Sequence, residues 1–352
     1  MANINGNAVI GQSGGPTCVI NESLVGAILE SAKHEAIGRM YGARHGLEGL
    51  LTNDLIDLTQ ETPETLERVA RTPSAALGSV RKKASEEDCK KLINVFKEND
   101  IRYFFYIGGN DTAETANIVD ELARGEDYEF RVCHIPKTID NDLRETDHCP
   151  GYGSAARFVA LALMGDNLDN TALKGVKIDV IMGRHAGFLT GAAALARQNE
   201  TDGPHLIYLP EVAFDENRFA DDVAGCLDRL GRCVIAVSEG ITREDGSPVY
   251  TSGEKDSHGN VQLSGTGALG DYLSGIVKEK VPAASRVRAD TLGYMQRCFP
   301  SIRSEVDASE ARAAGAFAVR SMVEGELSSG TVCIRRTETD GHYDSEMFIT
   351  EL

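Results

Sequence analysis

Short runs of β-forming residues recur along this chain, each closing on a glycine- or serine-bearing turn with a helical pattern after it. Asn7–Ile10, Tyr103–Ile107, Lys177–Ile181 and Cys233–Val237 are rich in β-branched or aromatic residues, as expected of strands buried on both faces of a parallel sheet. Between them, Glu86–Glu98 and Thr112–Leu122 repeat apolar residues at spacings of three and four, the helical period. Strand alternating with helix predicts an α/β fold with mainly parallel sheets. Ligands of such sheets sit beyond the carboxyl ends of the strands, so the turns directly after the strands are where chemistry is sought. The polar stretch from Thr242 to Gly267 predicts a loop or hairpin excursion.

A chain of 352 residues that is 41% hydrophobic has material for two modest domains with their own cores. No apolar run approaches the roughly 20 residues that span a bilayer, and the N-terminus has no secretory pattern, so a soluble, cytoplasmic protein is expected. The eight cysteines include no C-x-x-C pair, which leaves neither a disulfide framework nor a zinc site with the needed spacing. A formal net charge of -18 argues against nucleic-acid or anionic-membrane partners, because both require a basic face. Any anionic substrate must meet a local basic cluster.

Gly11-Gln12-Ser13-Gly14-Gly15-Pro16-Thr17 follows the first strand and precedes a helical segment from about Val19. Gly14 and Gly15 let backbone N–H groups approach an oxyanion, with the helix N-terminus assisting. An ordinary tight turn accounts for this segment equally well when it is taken alone, and its spacing matches neither a dinucleotide fingerprint nor a Walker loop. Gly108-Gly109-Asn110-Asp111-Thr112 repeats the design with oxygen ligands suited to a phosphate chain and a hard cation. Its plainer reading is a helix N-cap by Asp111 or Thr112.

Pro136-Lys137-Thr138-Ile139-Asp140-Asn141-Asp142 sets a lysine, a hydroxyl, an amide and two carboxylates after a strand. A carboxylate placed there can accept a proton as a hydroxyl attacks phosphorus. Met182-Gly183-Arg184 and Ser238-Glu239-Gly240 end two further strands, and Arg288 and Arg297 flank a Gly turn. Arg184 suits a phosphate and Glu239 a sugar hydroxyl, although each is also an ordinary strand-end charge. Taken together, Arg81, Lys137, Arg184, Arg288 and Arg297 give an acidic protein the local positive charge that phosphate chemistry requires.

The ordered set Ser-Gly-Gly, Leu-Gly-Ser-Val-Arg, Gly-Gly-Asn-Asp, Pro-Lys-Thr-Ile-Asp-Asn-Asp, Met-Gly-Arg, Ser-Glu-Gly and Leu-Gly-Tyr-Met-Gln-Arg resembles the phosphofructokinase family from about Val9 to Val319. The resemblance implies two Rossmann-like domains with fructose 6-phosphate held at the cleft between them. Residues 1–150, completed by about 296–335, would bind the donor and Mg²⁺. Residues 151–295, completed by C-terminal residues, would bind the sugar phosphate. Asp140 is the implied general base, supported by Asp142, with Asn110 and Asp142 at the metal. Gly14, Gly15, Arg81, Gly109 and Lys137 fall on the donor side, and Arg81 is the implied bridge between donor and acceptor phosphates. Thr138, Ile139, Met182, Gly183, Arg184, Glu239, Tyr294, Met295, Gln296 and Arg297 fall on the sugar-phosphate side. Arg288 matches a position that reaches into a neighbouring subunit, which implies a homodimer or homotetramer with shared sites.

Family members that use ATP carry glycine where this chain has Asp111 and Lys137. Filling that space implies exclusion of a nucleotide, while the lysine neutralises a terminal phosphate of pyrophosphate. The implied reaction is reversible phosphoryl transfer from pyrophosphate to the 1-hydroxyl of fructose 6-phosphate. The alternatives are an ATP-dependent enzyme of the same family and a non-catalytic sugar-phosphate-binding homologue. The second is motivated by Asn110, where the family often has aspartate, and by Gly175, where an arginine is expected with Lys174 and Lys177 nearby as substitutes. Val25 and Asp54 replace two effector-binding arginines of bacterial ATP-dependent relatives, so no such effector site is expected.

Overall fold

The structure, a computed structural model, describes residues 4–80, 84–126, 128–250, 267–325, 327–339 and 341–352. The chain begins with β1 (Gly6–Gln12), α1 (Ile20–Ser31), β2 (Ile37–Ala43), α2 (Leu47–Thr52), β3 (Leu55–Asp57) and α3 (Pro63–Ala70). There follow α4 (Glu86–Glu98), β4 (Ile101–Gly108), α5 (Asn110–Gly125) and β5 (Arg131–Pro136). Next come α6 (Tyr152–Ala172), β6 (Val176–Ile181), α7 (Phe188–Gly191), β7 (Leu206–Tyr208), α8 (Glu216–Leu230) and β8 (Cys233–Ser238). The chain ends with α9 (Ala268–Lys280), β9 (Val287–Thr291), α10 (Met295–Cys298), α11 (Glu305–Glu324), β10 (Ser329–Thr339) and β11 (His342–Thr350).

These elements form two compact units. The first comprises Met1–Ile139, Leu143–Ser154 and Arg303–Leu352, and the second Asp140–Asp142 with Ala155–Ile302. The sequence boundary near 150 lies at 154 here, and the return of the chain begins at 303 rather than about 296. The C-terminal residues, expected to complete the second unit, lie in the first, because β10 pairs with β5 and β11 extends the same sheet. Among the described residues, no helix is long and apolar enough to cross a membrane.

The first unit holds a sheet of order β11-β10-β5-β4-β1-β2-β3. β2–β1, β1–β4, β4–β5 and β5–β10 pair in parallel, with antiparallel β3 and β11 at the two edges. Successive side chains of a strand point to opposite faces, and here both faces are covered. Ala8, Ile10, Tyr103, Phe105 and Ile107 join the core that contains Leu24 of α1 and Met322 of α11. Val9, Phe104 and Tyr106 join the core that contains Phe96 of α4 and Val119 of α5. Double burial removes any need for polar alternation, which is why these strands read as unbroken apolar runs.

Helices α1 and α11 touch at backbone distance. A methyl placed on Gly26 would lie 2.1 Å from the Arg312 carbonyl oxygen, and one on Gly315 would lie 2.0 Å from that of Ser23. The charges at this seam are paired. Arg312 bonds Glu22 at 2.7 Å and Glu67 at 2.7 and 2.9 Å, and Arg303 bonds Glu22 at 2.6 Å.

The second unit is built on the sheet β7-β8-β6-β9, parallel throughout. Val176, Ile178 and Val180 of β6 pack with Phe219 and Val223 of α8 and with Leu273 and Val277 of α9. α8 is capped by Asp215, whose carboxylate accepts from Asn217 N–H and Arg218 N–H at 2.9 and 2.7 Å. It stops at Gly231, whose φ is 67°, the left-handed conformation that glycine adopts at least cost. Of the polar excursion from Thr242 to Gly267, the described part carries a Thr242–Pro248 bridge, and residues 251–266 lie outside the described residues.

The contact between α1 and α11 leaves no room for an added carbon. Gly26→Ala is expected to lower stability by about 1–3 kcal/mol, the range for overpacking a well-packed seam. Urea unfolding followed by circular dichroism measures this, and an unchanged midpoint would contradict the packing described.

Candidate active site

The sequence motifs lie at the carboxyl ends of the parallel strands, where ligands of α/β sheets bind. In the first unit, β1 runs into the Ser13–Thr17 turn, which is fastened to its neighbours. Ser13 N–H donates to the Ile107 carbonyl at 2.9 Å, Gly14 N–H to that of Val80 at 3.2 Å, and Ser79 Oγ to that of Gly14 at 2.6 Å. Gly14 has φ 74°, which favours glycine. Thr17 Oγ1 accepts from Val19 and Ile20 N–H at 3.3 and 3.0 Å. Thr17 thus holds the two backbone amides that lead into α1, directly after the Gly14 turn.

Two buried amides that the sequence reading did not single out support this turn. Gln12 Nε2 donates to Asn21 Oδ1 at 2.9 Å, while Gln12 Oε1 accepts from Leu77 N–H at 3.0 Å. Asn21 accepts from Ala76 N–H at 2.9 Å and donates to the Thr72 carbonyl at 2.8 Å. Together they anchor the loop that leads through Ser79 and Val80. An amide at the end of an apolar strand, with a second on the next helix, was the available signal. Arg81 lies outside the described residues.

β4 ends at Gly108 and α5 begins at Asn110, with Gly109 as N-cap and no side-chain capping bond. The capping reading of Asp111 or Thr112 therefore does not hold, and both lie inside the first turn. Asp111 and Asn110 are exposed. Side-chain volume at Gly108 is excluded, because an added carbon would meet Thr112 Oγ1 at 2.0 Å.

The Gly108 carbonyl accepts from Lys137 N–H at 2.9 Å and pairs with His134 Nε2 at 2.9 Å. His134 Nδ1 pairs with Thr331 Oγ1 at 2.8 Å. The bond to a carbonyl assigns the proton to Nε2, so Nδ1 accepts from the threonine hydroxyl. Burial pushes the His134 pKa down to about 4, with the Lys137 charge acting the same way, so the ring is neutral near pH 7. Lys137 is only 3% exposed, and a carbon added to Gly14 would lie 3.1 Å from its Nζ. The ammonium is thus held over the Gly14 turn.

The division between units falls within the Thr-Ile-Asp-Asn-Asp motif, after Ile139. Thr138 forms a parallel bridge with Gly151. Asp140 and Asp142 are partly buried and flank the buried Asn141, whose φ is 56°. Asparagine tolerates this left-handed conformation better than most residues.

In the second unit, three predicted segments are tied together. Ser238 Oγ donates to the Gly183 carbonyl, and Glu239 N–H to that of Ile181 at 2.8 Å. A carbon on Gly240 would fall 1.9 Å from the Arg184 carbonyl oxygen, so the Ser-Glu-Gly turn is pressed against Met182-Gly183-Arg184. Gln296 accepts from Met182 N–H at 3.4 Å and donates to the Gly293 carbonyl at 2.8 Å. The Arg297 guanidinium stacks 4.8 Å from the centre of the Tyr294 ring. Tyr294 and Met295 are exposed, at 50% and 59%.

Arg288 is not in that turn. It is exposed, on β9, in register with Lys177 of β6. Gly175 has φ 154°, and a side chain there would meet the Arg286 carbonyl oxygen at 2.6 Å, so this backbone has no place for an arginine. Lys177 is no ready substitute, being paired with Asp290 and lying 3.4 Å from Asp166 and 3.6 Å from Asp179. Among the described residues, His205, Cys226 and Cys233 form one cluster of potential metal ligands, and Asp166, Asp179 and Asp290 another. His205 has both nitrogens bonded to backbone, and Lys177 occupies the aspartate cluster. Neither contains a predicted site residue.

Glycine turns, a buried ammonium and strand-end carboxylates on doubly wound units are the equipment of a phosphoryl transferase. The chain belongs to the phosphofructokinase family, which it matches over residues 7–322. It is 53% identical to a pyrophosphate–fructose 6-phosphate 1-phosphotransferase of Rhodospirillum rubrum, over 99% of this chain and 86% of that protein. It is 38% identical to one of the same name from Halomonas elongata, over 91% of this chain and 78% of that protein. Its fold superposes with a TM-score of 0.86 on the crystal structure of a pyrophosphate-dependent phosphofructokinase from Marinobacter aquaeolei, 34% identical, covering 98% of this chain and 82% of that one.

Proposed function

We propose that this chain transfers a phosphoryl group from pyrophosphate to the 1-hydroxyl of fructose 6-phosphate, giving fructose 1,6-bisphosphate and phosphate, reversibly. The observation that carries the donor assignment is the buried Lys137 ammonium over the Gly14 turn. Its fixed positive charge suits a compact polyanion, and it takes space that a longer nucleotide chain would need. Asp111 adds a carboxylate in the first turn of α5, repelling a further phosphate where the helix end would otherwise attract one. Relatives at 53% and 38% identity that bear this activity in their names support the same reading.

The first unit is assigned to the donor, with Gly14, Gly15, Gly109, Lys137 and Arg81 on its phosphates. The sugar phosphate is assigned to Met182, Gly183, Arg184, Glu239, Tyr294, Met295, Gln296 and Arg297 of the second unit, and to Thr138 and Ile139, with Thr138 also on the transferring group. Arg288 serves a neighbouring copy in a homo-oligomer, and the enzyme works in the cytoplasm. The oxygens of Asn110 and Asp142 are the ligand type a hard cation takes, and Asn110 stands exposed at the first position of α5. Mg²⁺ bound there supplies charge neutralisation for the diphosphate.

Asp140 takes the proton from the 1-hydroxyl as its oxygen bonds to the distal phosphorus. The bond from that phosphorus to the bridging oxygen breaks, and phosphate leaves with the bond's electron pair. Lys137 and Arg184 hold the non-bridging and leaving oxygens in line. Asp142 supports the base, and Glu239 orients the sugar through a hydroxyl.

Asp140→Ala is expected to lower kcat by about 10²–10⁴-fold, the weight of general-base catalysis, with unfolding unchanged. Near-normal turnover would remove Asp140 from the mechanism. The Lys137→Gly, Asp111→Gly double variant is expected to lower kcat/KM for pyrophosphate by about 10- to 100-fold, the loss of one charge-assisted contact. It should also gain ATP-supported turnover over the parent. If steady-state assays show no ATP gain in a folded double variant, steric exclusion is wrong.

A further inference from the structure

The segment after the Asp140–Asp142 carboxylates is held by a buried ionic cluster that the mechanism above does not use. His148, with a side chain 12% exposed, is hydrogen-bonded through Nδ1 to Glu310, and its Nε2 lies 3.2 Å from Asp307 Oδ1. Burial alone would lower the His148 pKa. The adjacent Asp307 and Glu310 carboxylates outweigh it and push the ring up to about 9, so a cation sits between two carboxylates near pH 7.

Asp307 in turn fixes backbone. Its Oδ1 accepts from Gly151 N–H at 2.8 Å, and its Oδ2 accepts from Ser154 N–H at 2.8 Å and Ser154 Oγ at 2.6 Å. Gly151 is the residue bridged to Thr138. It has φ 109°, and an added carbon would meet Thr17 Cγ2 at 2.7 Å, so it is confined on its other side by the turn that follows β1. The second oxygen of Glu310 accepts from Tyr343 of β11 at 2.6 Å. A continuous set of contacts therefore runs from β11 through α11 and His148 to Thr138.

We infer that the His148–Asp307–Glu310 cluster is a positioning device for Thr138. It fixes Gly151, and Gly151 fixes the backbone from which Thr138 meets the acceptor and the transferring group. The inference rests on the substrate role proposed for Thr138. Removing the cation leaves two buried carboxylates that repel each other, and as Asp307 turns away Gly151 loses its anchor. His148 acts through Thr138 and does not itself touch substrate.

The test is a double-mutant cycle in kcat and KM over the parent, His148→Gln, Thr138→Ala and the pair. His148→Gln is expected to lower kcat by about 10- to 100-fold, the order for a displacement of about 1 Å in a reacting geometry, with donor KM changed less than about threefold. In the Thr138→Ala background the same substitution should change kcat by less than about twofold, because coupled residues are not additive. Multiplicative effects, or an unchanged kcat in His148→Gln, overturn the inference. If His148→Gln does not fold, Tyr343→Phe, which removes only the bond to Glu310, replaces it in the cycle with an expected loss of about threefold. The cycle is run with whichever donor, pyrophosphate or ATP, supports turnover in the parent. With neither active, it is run on the Kd of fructose 6-phosphate by calorimetry. A wrong donor is then visible in the parent and a wrong positioning role in the variants.

Discussion

The Gly108 carbonyl is the point on which the strand-end edge of the first unit depends. It receives the Lys137 N–H and the His134 Nε2–H, both at 2.9 Å, which locks the end of β4 to the end of β5. Through the other nitrogen of His134 the lock extends to Thr331 of β10. A neutral imidazole is required, since both of its nitrogens are spoken for with opposite polarity, and burial keeps it neutral. The lysine that follows β5 is launched over the Gly14 turn, while the chain beyond the Gly108 carbonyl enters α5 through Gly109, which has no side chain to cap it. Position at this edge comes from the ends of the sheet strands together with the loop bonds that fasten the Gly14 turn.

Much of this was legible in the sequence because double burial and turn chemistry leave strong local marks. The run Tyr103–Ile107 lies inside a strand of Ile101–Gly108, and Glu86–Glu98 is a helix over that span. Met182-Gly183-Arg184, Ser238-Glu239-Gly240 and the turn through Gln296 are linked by hydrogen bonds and close packing in the second unit. What was not legible depends on partners distant in sequence. Gln12 and Asn21 are structural amides whose bonds reach to Thr72, Ala76 and Leu77. The placement of the C-terminal residues could not be read from period alone, because an edge hairpin such as β10–β11 extends whichever sheet offers a free edge.

An acidic protein that handles polyanions must concentrate its cations. With a net charge of -18, this chain pairs many arginines at structural seams, as Arg312 and Arg303 are paired with Glu22 and Glu67. The basic residues at strand ends are the ones assigned here to phosphates. Lys137 differs from them in being buried, and a buried ammonium restricts what else can share its turn far more than a flexible surface lysine does. Donor choice is in this account a property of two side chains on one sheet edge, while the acceptor side would serve either donor.

The most direct test is the steady-state rate of fructose 1,6-bisphosphate formation from fructose 6-phosphate and Mg²⁺, with pyrophosphate and ATP compared at matched concentrations. The account predicts turnover with pyrophosphate and little or none with ATP. A preference for ATP would contradict the reading of Lys137 and Asp111, and inactivity with both donors would contradict the transferase itself.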